Sequence, residues 1–185
     1  MSPEIETARL RLYPPRPEDL EARLAMDRDP EVMRFTRPVP EDAEAHRKEI
    51  RDHILNPPRG AFWHVEARPP SSVAGPGFIG WCGLFPLQDS GLMEISYRFG
   101  RAAWGRGLAT EAAAAALDHG FRELKLDLIV AVSDPDNAAS HRVLLKIGLR
   151  VQGRERYYGL ELAFFKLRRA DYLAAQSSPS TSRRA

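Results

Sequence analysis

The chain has 185 residues, 43% of them hydrophobic and 28% charged, which is the size and make-up of one ordinary globular domain with a sizeable core. Its 27 basic residues stand against 25 acidic ones, a net charge of +2, which excludes a nucleic-acid partner recognised through the field of the whole chain. No apolar run nears the ~20 residues needed to span a bilayer, and MSPEIETARLRL has no apolar leader core, so the expected setting is cytoplasmic with no membrane partner.

The single cysteine, Cys82, excludes an internal disulfide framework and reads as a small packed residue within FIGWCGL. Leu10 and Leu12 alternate with Arg9 and Arg11 over Thr7 to Tyr13, the two-residue period of a half-buried strand. Pro14, Pro15 and Pro17 end it, and Pro17-Glu18-Asp19 opens a helix running to about Met26. Asp29-Pro30 to Phe35 predicts a short helical turn, and Pro40 to Leu55, acidic first and basic later, predicts a further helix stopped by Asn56-Pro57-Pro58.

Ala61 to Ala67 reads as a strand, followed by a loop of Pro, Ser and Gly from Pro69 to Gly77. Phe78 to Phe85 and Leu92 to Phe99 are two more strands around an Asp89-Ser90-Gly91 turn. In the second, Met93, Ile95, Tyr97 and Phe99 alternate with Glu94, Ser96 and Arg98. After the glycines of GRAAWGRG a helix sets Ala109, Ala113, Ala116, Leu117 and Phe121 on one face. Asp127 to Val132 is a buried-strand run, Asp134 to Asn137 a turn that caps a helix from Ala138 to Ile147, and Gly148 its stop. Leu149 to Glu155 and Ala163 to Leu167 complete the strands. This order predicts an α+β domain over residues 1–176, with a largely antiparallel sheet becoming parallel near its middle, and a polar disordered tail over 177–185.

The segment Trp104-Gly105-Arg106-Gly107-Leu108-Ala109-Thr110-Glu111 joins a strand to a helix start. Free amides and the positive end of the helix dipole suit an anion there, and glycines let it approach the backbone. A tight turn for helix–sheet packing explains the same glycines. The P-loop pattern lacks its lysine after Gly107, and the dinucleotide pattern lacks its third glycine, which is Thr110 here.

The stretches EISYRFGRAAWGRGLATEAAAAALDHGF and VSDPDNAASHRVLLKIGLRVQGRER, with TARLRLYPPRPEDLEA and GFIGWCGL before them, resemble GNAT N-acetyltransferases over about Ile5 to Leu173. Within that superfamily they are most similar to the branch of ribosomal-protein alanine N-acetyltransferases. The resemblance implies the GNAT fold, a mixed and mostly antiparallel sheet flanked by helices, and acetyl-CoA as co-substrate. The superfamily's cofactor signature maps to Trp104, Gly107 and Ala109; Trp104 departs from the usual Gln or Arg but is similar to what this branch carries. It implies that the amides of Arg106, Gly107, Leu108, Ala109 and Thr110 cradle pyrophosphate, with Trp104 and Gly105 in the same cofactor-binding loop, and that Phe99-Gly100 pairs with the pantetheine arm. Asn137 and Ser140 match the second cofactor motif, although Asn137 is equally a helix cap.

Many GNAT enzymes place a tyrosine acid seven residues after that asparagine, where this chain has Leu144. Ser140 is the expected substitute, against a purely capping or cofactor-binding role. Glu94 is the expected base, against an exposed polar residue on an alternating strand, with Glu161 a weaker candidate. His119 and His141 read as surface residues, and no histidine or cysteine spacing implies a metal. Phe35, Phe62, Trp63, Trp81, Tyr157 and Tyr158 divide between acceptor pocket and core. The implied acceptor is a primary amine, either a peptide N-terminus or a small molecule, and the family allows a homodimer. A catalytically silent acyl-CoA-binding or sensory domain of the same fold is the competing expectation, kept open by Leu144.

Overall fold

The computed structural model describes residues 2–36, 40, 42–57, 59–69 and 77–177. The expected loop is therefore described only at its two ends, and the expected tail only at Ser177; residues 70–76 and 178–185 lie outside. Eight strands form one sheet: β1 (Ile5–Glu6), β2 (Leu10–Tyr13), β3 (Ala61–Ala67), β4 (Phe78–Pro86), β5 (Met93–Phe99), β6 (Leu128–Ser133), β7 (Arg150–Tyr157) and β8 (Leu160–Arg168). Their order is β1-β2-β3-β4-β5-β6-β8-β7, antiparallel everywhere except between β5 and β6. This is the expected α+β sheet, parallel at its middle.

The helices are α1 (Leu20–Asp27), α2 (Pro30–Met33), α3 (Ala43–Leu55), α4 (Leu108–Arg122), α5 (Ala138–Lys146) and α6 (Arg169–Ser177). A 3-10 turn at Pro17–Asp19 leads into α1. Helix α4 lies on β2, β4 and β5, and its Ala112, Ala113, Ala116, Leu117 and Phe121 are buried against Trp63, Cys82, Leu84 and Ile95. Small residues bring it close: a Cβ at Gly120 would stand 2.8 Å from methyls of Ile129 and Leu84. Helix α5 adds Leu144, and its C-cap Ile147, to the same core.

The opposite face of the sheet is covered by α1 and α2, where Met26 and Val32 pack on Phe62 and Trp81. Leu24, Ile50 and Ile54 join α1 to α3. Beneath this layer sits a polar cluster. His64, fully buried, donates from Nδ1 to Asp19 Oδ2 at 2.8 Å, and Tyr13 donates its hydroxyl to Asp19 Oδ1 at 3.0 Å. Arg23 lies 3.5 Å from His64 Nε2 and stacks over Phe62 and Trp81.

Helix α6 has no counterpart among the sequence-based expectations, because none of its residues is buried and apolar periodicity is missing. It is held through Tyr172, whose ring lies 4.9 Å from that of Phe121 and whose hydroxyl donates to Asp118 at 2.8 Å. His119 and His141 are half-buried rather than on the surface, their rings 5.3 Å from Trp63 and 5.1 Å from Phe165.

Candidate active site

The site begins where the sheet comes apart. Parallel β5 and β6 pair only at Met93↔Ile129 and Glu94↔Val130; from Ile95 onward β5 is paired with β4 alone, while β6 continues to Ser133 against β8. Gly100 donates its amide to Ile79 of the β4 side, so alternation turns the backbone groups of Phe99 and Tyr97 toward the gap. Strands that diverge in this way expose main-chain donors and acceptors between them, ready for an extended ligand. Trp104, half-exposed at the lip, donates its indole N–H to the Phe99 carbonyl at 2.7 Å. The open backbone groups at this edge are therefore those of Tyr97 and the Phe99 amide.

The glycine loop closes one end of the gap. Gly105 and Gly107 have φ of +71° and +76°, the left-handed region that costs other residues strain. Gly107 is the N-cap of α4 and offers no side chain to its amides, whereas α2, α3 and α5 are capped by Asp29, Asp42 and Asn137. Since the first turn of a helix has no internal acceptor, the N–H groups of Leu108, Ala109 and Thr110 are left for a ligand at the positive end of a 15-residue helix. The loop is braced from outside: Arg9 donates from Nη1 to the Arg106 carbonyl at 2.9 Å and forks onto Glu111.

A cavity of about 700 Å³ runs from this loop along the gap. Phe99, Trp104, Gly105, Gly107, Leu108, Ala109, Thr110, Asn137 and Ser140 line it, so most of the expected cofactor residues share one space. Gly100 and Arg106 do not line it: the Gly100 amide is spent on Ile79, and Arg106 turns its Nε to the Ala102 carbonyl at 3.0 Å. Arg142 and Lys146 of α5 add positive charge to the same wall. Glu31, Arg34, Phe35, Trp81 and Arg98 line the cavity beside α2. Phe35 and Trp81 thus face the cavity, whereas Trp63 is core.

Asn137 accepts from the Ser140 amide at 3.1 Å, so it caps α5 and also lines the cavity. Ser140 Oγ lies 3.1 Å from the hydroxyl of Tyr97, which also reaches the Ser140 carbonyl at 3.2 Å. Burial pushes the Tyr97 phenol above its ordinary range, so it keeps its proton. Leu144, at the usual tyrosine position, is 1% exposed and part of the core.

Glu94 is buried, 7% exposed, and not the exposed alternating residue that the two-residue period suggests. The face of β5 that it occupies is covered by other elements. Its cross-strand partners are Phe85 and Val130, and Leu87, Val130 and Phe164 form an apolar cluster there. Burial raises its carboxyl to about 7, against the opposing effects of the Tyr158 hydroxyl, which donates at 3.1 Å, and the Val132 amide. Glu94 stands two residues below the cavity-lining Ser96 on the same strand face, about 7 Å along the strand. Glu161 is exposed at the start of β8, away from this cavity. Sequence reasoning assigns no chemistry to Tyr97 or Tyr158; their hydrogen bonds to Ser140 and Glu94 span long separations that no local pattern encodes.

The chain matches the acetyltransferase (GNAT) domain family over residues 9–150, and it belongs to that family. The uncharacterized N-acetyltransferase YoaA of Bacillus subtilis is 32% identical, over 85% of this chain and 89% of that protein. YkkB of Bacillus subtilis, an uncharacterized protein, is 41% identical over 48% of this chain, and the match spans about half of its own length, 53%. Among solved structures, spermidine N-acetyltransferase from Vibrio cholerae in complex with CoA and spermine superposes with a TM-score of 0.73 at 17% identity, over 90% of this chain and 99% of that one, a likeness of fold.

Proposed function

We propose that this protein transfers acetyl from acetyl-CoA to a primary amine by direct attack of the amine on the thioester. The observation that carries this reading is the single cavity that joins the β5/β6 gap to the uncapped N-terminus of α4. The loop amides suit the pyrophosphate, the Tyr97 backbone suits the pantetheine amides, and Arg142 and Lys146 suit the remaining negative charge. Acetyl-CoA supplies the activated thioester; the protein supplies orientation and proton handling.

In this reading the amine nitrogen bonds to the thioester carbon as the C–S bond breaks. Glu94, raised to about 7, takes the amine's proton through a water beside Ser96. Ser140 protonates the leaving sulfur as it takes a proton from Tyr97, whose hydroxyl is at 3.1 Å and which regains one from water when Glu94 releases the amine's proton to water. The products are an amide and free CoA. The acceptor is a peptide N-terminus, favoured by the resemblance to the ribosomal-protein branch, or a small-molecule amine.

One observation supports a second reading, a silent acyl-CoA-binding domain: Leu144 fills the usual acid's place with a buried aliphatic side chain. Titration calorimetry with acetyl-CoA, CoA and NADH, with Gly107→Trp as control, tests cofactor binding. Thiol release in the presence of an alanine-initial hexapeptide, spermidine and glucosamine then separates enzyme from sensor. Acetyl-CoA binding without thiol release from any amine favours the silent domain, and no binding at all sinks both.

A further inference from the structure

Two turns from opposite ends of the sheet are locked together over Glu94. Gln88, in the β4–β5 turn, and Tyr158, at the tip of the β7–β8 hairpin, both hold left-handed backbone conformations, φ +43° and +54°, unfavourable for residues with a Cβ. They hold each other: the Tyr158 amide donates to Gln88 Oε1 at 3.0 Å. The strained conformation turns the Tyr158 side chain back onto β5, where its hydroxyl donates to Glu94 Oε2 at 3.1 Å. That side chain is 53% exposed, whereas Glu94 is 7% exposed. Tyr158 thus links a buried carboxylate to the protein surface.

The groups facing Glu94 are few. Among the described residues, the Tyr158 hydroxyl comes from the hairpin and the Val132 amide from β6, while Phe85 of β4 and Val130 of β6 flank it without charge. No charged side chain forms an ion pair with it among the described residues. Only two hydrogen bonds therefore favour the ionised form, and Tyr158 supplies the one that also reaches solvent.

We propose that Tyr158 is a positioning and proton-relay residue: latched through Gln88, it stabilises ionised Glu94, fixes its direction along β5 toward Ser96, and passes the captured proton to water. In the relay the protonated Glu94 carboxyl donates to the Tyr158 oxygen as the phenol gives its own proton to a solvent water, so protons balance and the phenol is regenerated. This inference rests on Glu94 being the base of the proposed reaction, and the test separates the two.

The direct measurement is a carbon-13 NMR titration of the labelled Glu94 carboxyl in the full chain, assigned by its absence in Glu94→Gln. Tyr158→Phe should move its midpoint upward by about one pH unit or more, since a hydrogen bond to a charged group is lost. Gln88→Ala, which frees the tip without touching the phenol, should move it in the same direction by less, and Gln88→Glu, which keeps the acceptor, should restore it. With acetyl-CoA and the alanine-initial hexapeptide, the acidic limb of kcat/KM should follow the same shifts while KM stays within about twofold. An unmoved midpoint in Tyr158→Phe overturns the proposal and leaves Glu94 as base intact. A limb that survives in Glu94→Gln removes Glu94 from the chemistry, and the relay with it.

Discussion

Arg9 and Glu111, 102 residues apart, are joined by three contacts: the Arg9 amide at 2.9 Å, its Nε at 2.7 Å and its Nη2 at 2.7 Å all meet the one carboxylate. Thr7 adds its hydroxyl at 2.6 Å. Burial alone would raise the Glu111 carboxyl, yet these donors hold it below the ordinary range. The same Arg9 donates to the Arg106 carbonyl, so the turn between β1 and β2 braces the glycine loop. Glu111→Gln puts an NH2 where an acceptor is needed. It should weaken acetyl-CoA binding about tenfold and cost roughly 1–2 kcal/mol of stability, the usual size for a broken charged hydrogen-bond set at a half-exposed site. Calorimetry and urea denaturation measure the two.

Tyr97, Ser140 and Asn137 separate chemistry from capping. The cap runs from Asn137 Oδ1 to the Ser140 backbone amide, so Ser140→Ala leaves it in place. Ser140→Ala should lower kcat by about 10–100-fold with acetyl-CoA affinity unchanged, and Tyr97→Phe should lower it by less, the range expected when a general acid or its resupply is removed. Asn137→Ala should instead cost about 1 kcal/mol of stability as the cap is lost. Steady-state kinetics beside thermal denaturation tests the division; equal kcat in Ser140→Ala and wild type removes the acid.

The features legible in the sequence are those written in neighbouring residues. The alanine face of α4, the αL glycines at its start and the Asn137 cap each depend on spacing within one or two turns. The alternation of β5 leaves Glu94 open between a base and an exposed polar residue, because a two-residue period tells which side a residue faces but not what covers that side. Here the cluster of Leu87, Val130 and Phe164 and the Tyr158 side chain of the β7–β8 hairpin cover it. The bonds Tyr158–Glu94 and Tyr97–Ser140 span 64 and 43 residues, and only the folded sheet brings those pairs together. Helix α6 escaped notice because its single anchoring ring, Tyr172, leaves no apolar stripe.

Glu94 should show that the proposed base is held at the expense of stability. Burial raises its carboxyl from 4.5 to about 7, so the folded state binds the proton more tightly than the unfolded chain. The resulting stability is complete below about pH 4.5 and lost as pH rises through about 7. Glu94→Gln abolishes that loss: relative to wild type it should gain up to about 3 kcal/mol at pH 9 and little at pH 4.5, while its activity falls. Urea denaturation at the two pH values decides, and equal differences at both would mean that Glu94 titrates normally.

His64 gives the opposite slope. Burial lowers its imidazole below 6.5 despite the Asp19 carboxylate, so neutral His64 donates Nδ1–H to ionised Asp19. Stability from this group is complete above about pH 6.5 and is lost as pH falls through the depressed folded value. Asp19, which its own burial would raise, is held below 3.8 by the hydrogen bonds it accepts from His64 and Tyr13 and adds a loss only in stronger acid. Because Glu94 titrates across the same window with the reverse sign, the His64 effect is masked in wild type and belongs in a Glu94→Gln background. There, stability should fall between pH 7 and pH 5. Adding His64→Asn, which keeps a donor toward Asp19, should lower stability at pH 8 by about 2–3 kcal/mol through the lost ring volume yet remove most of that fall. A residue of slope should persist from His119, which burial also depresses. An unchanged fall in the double variant would transfer the acid sensitivity from His64 to another group.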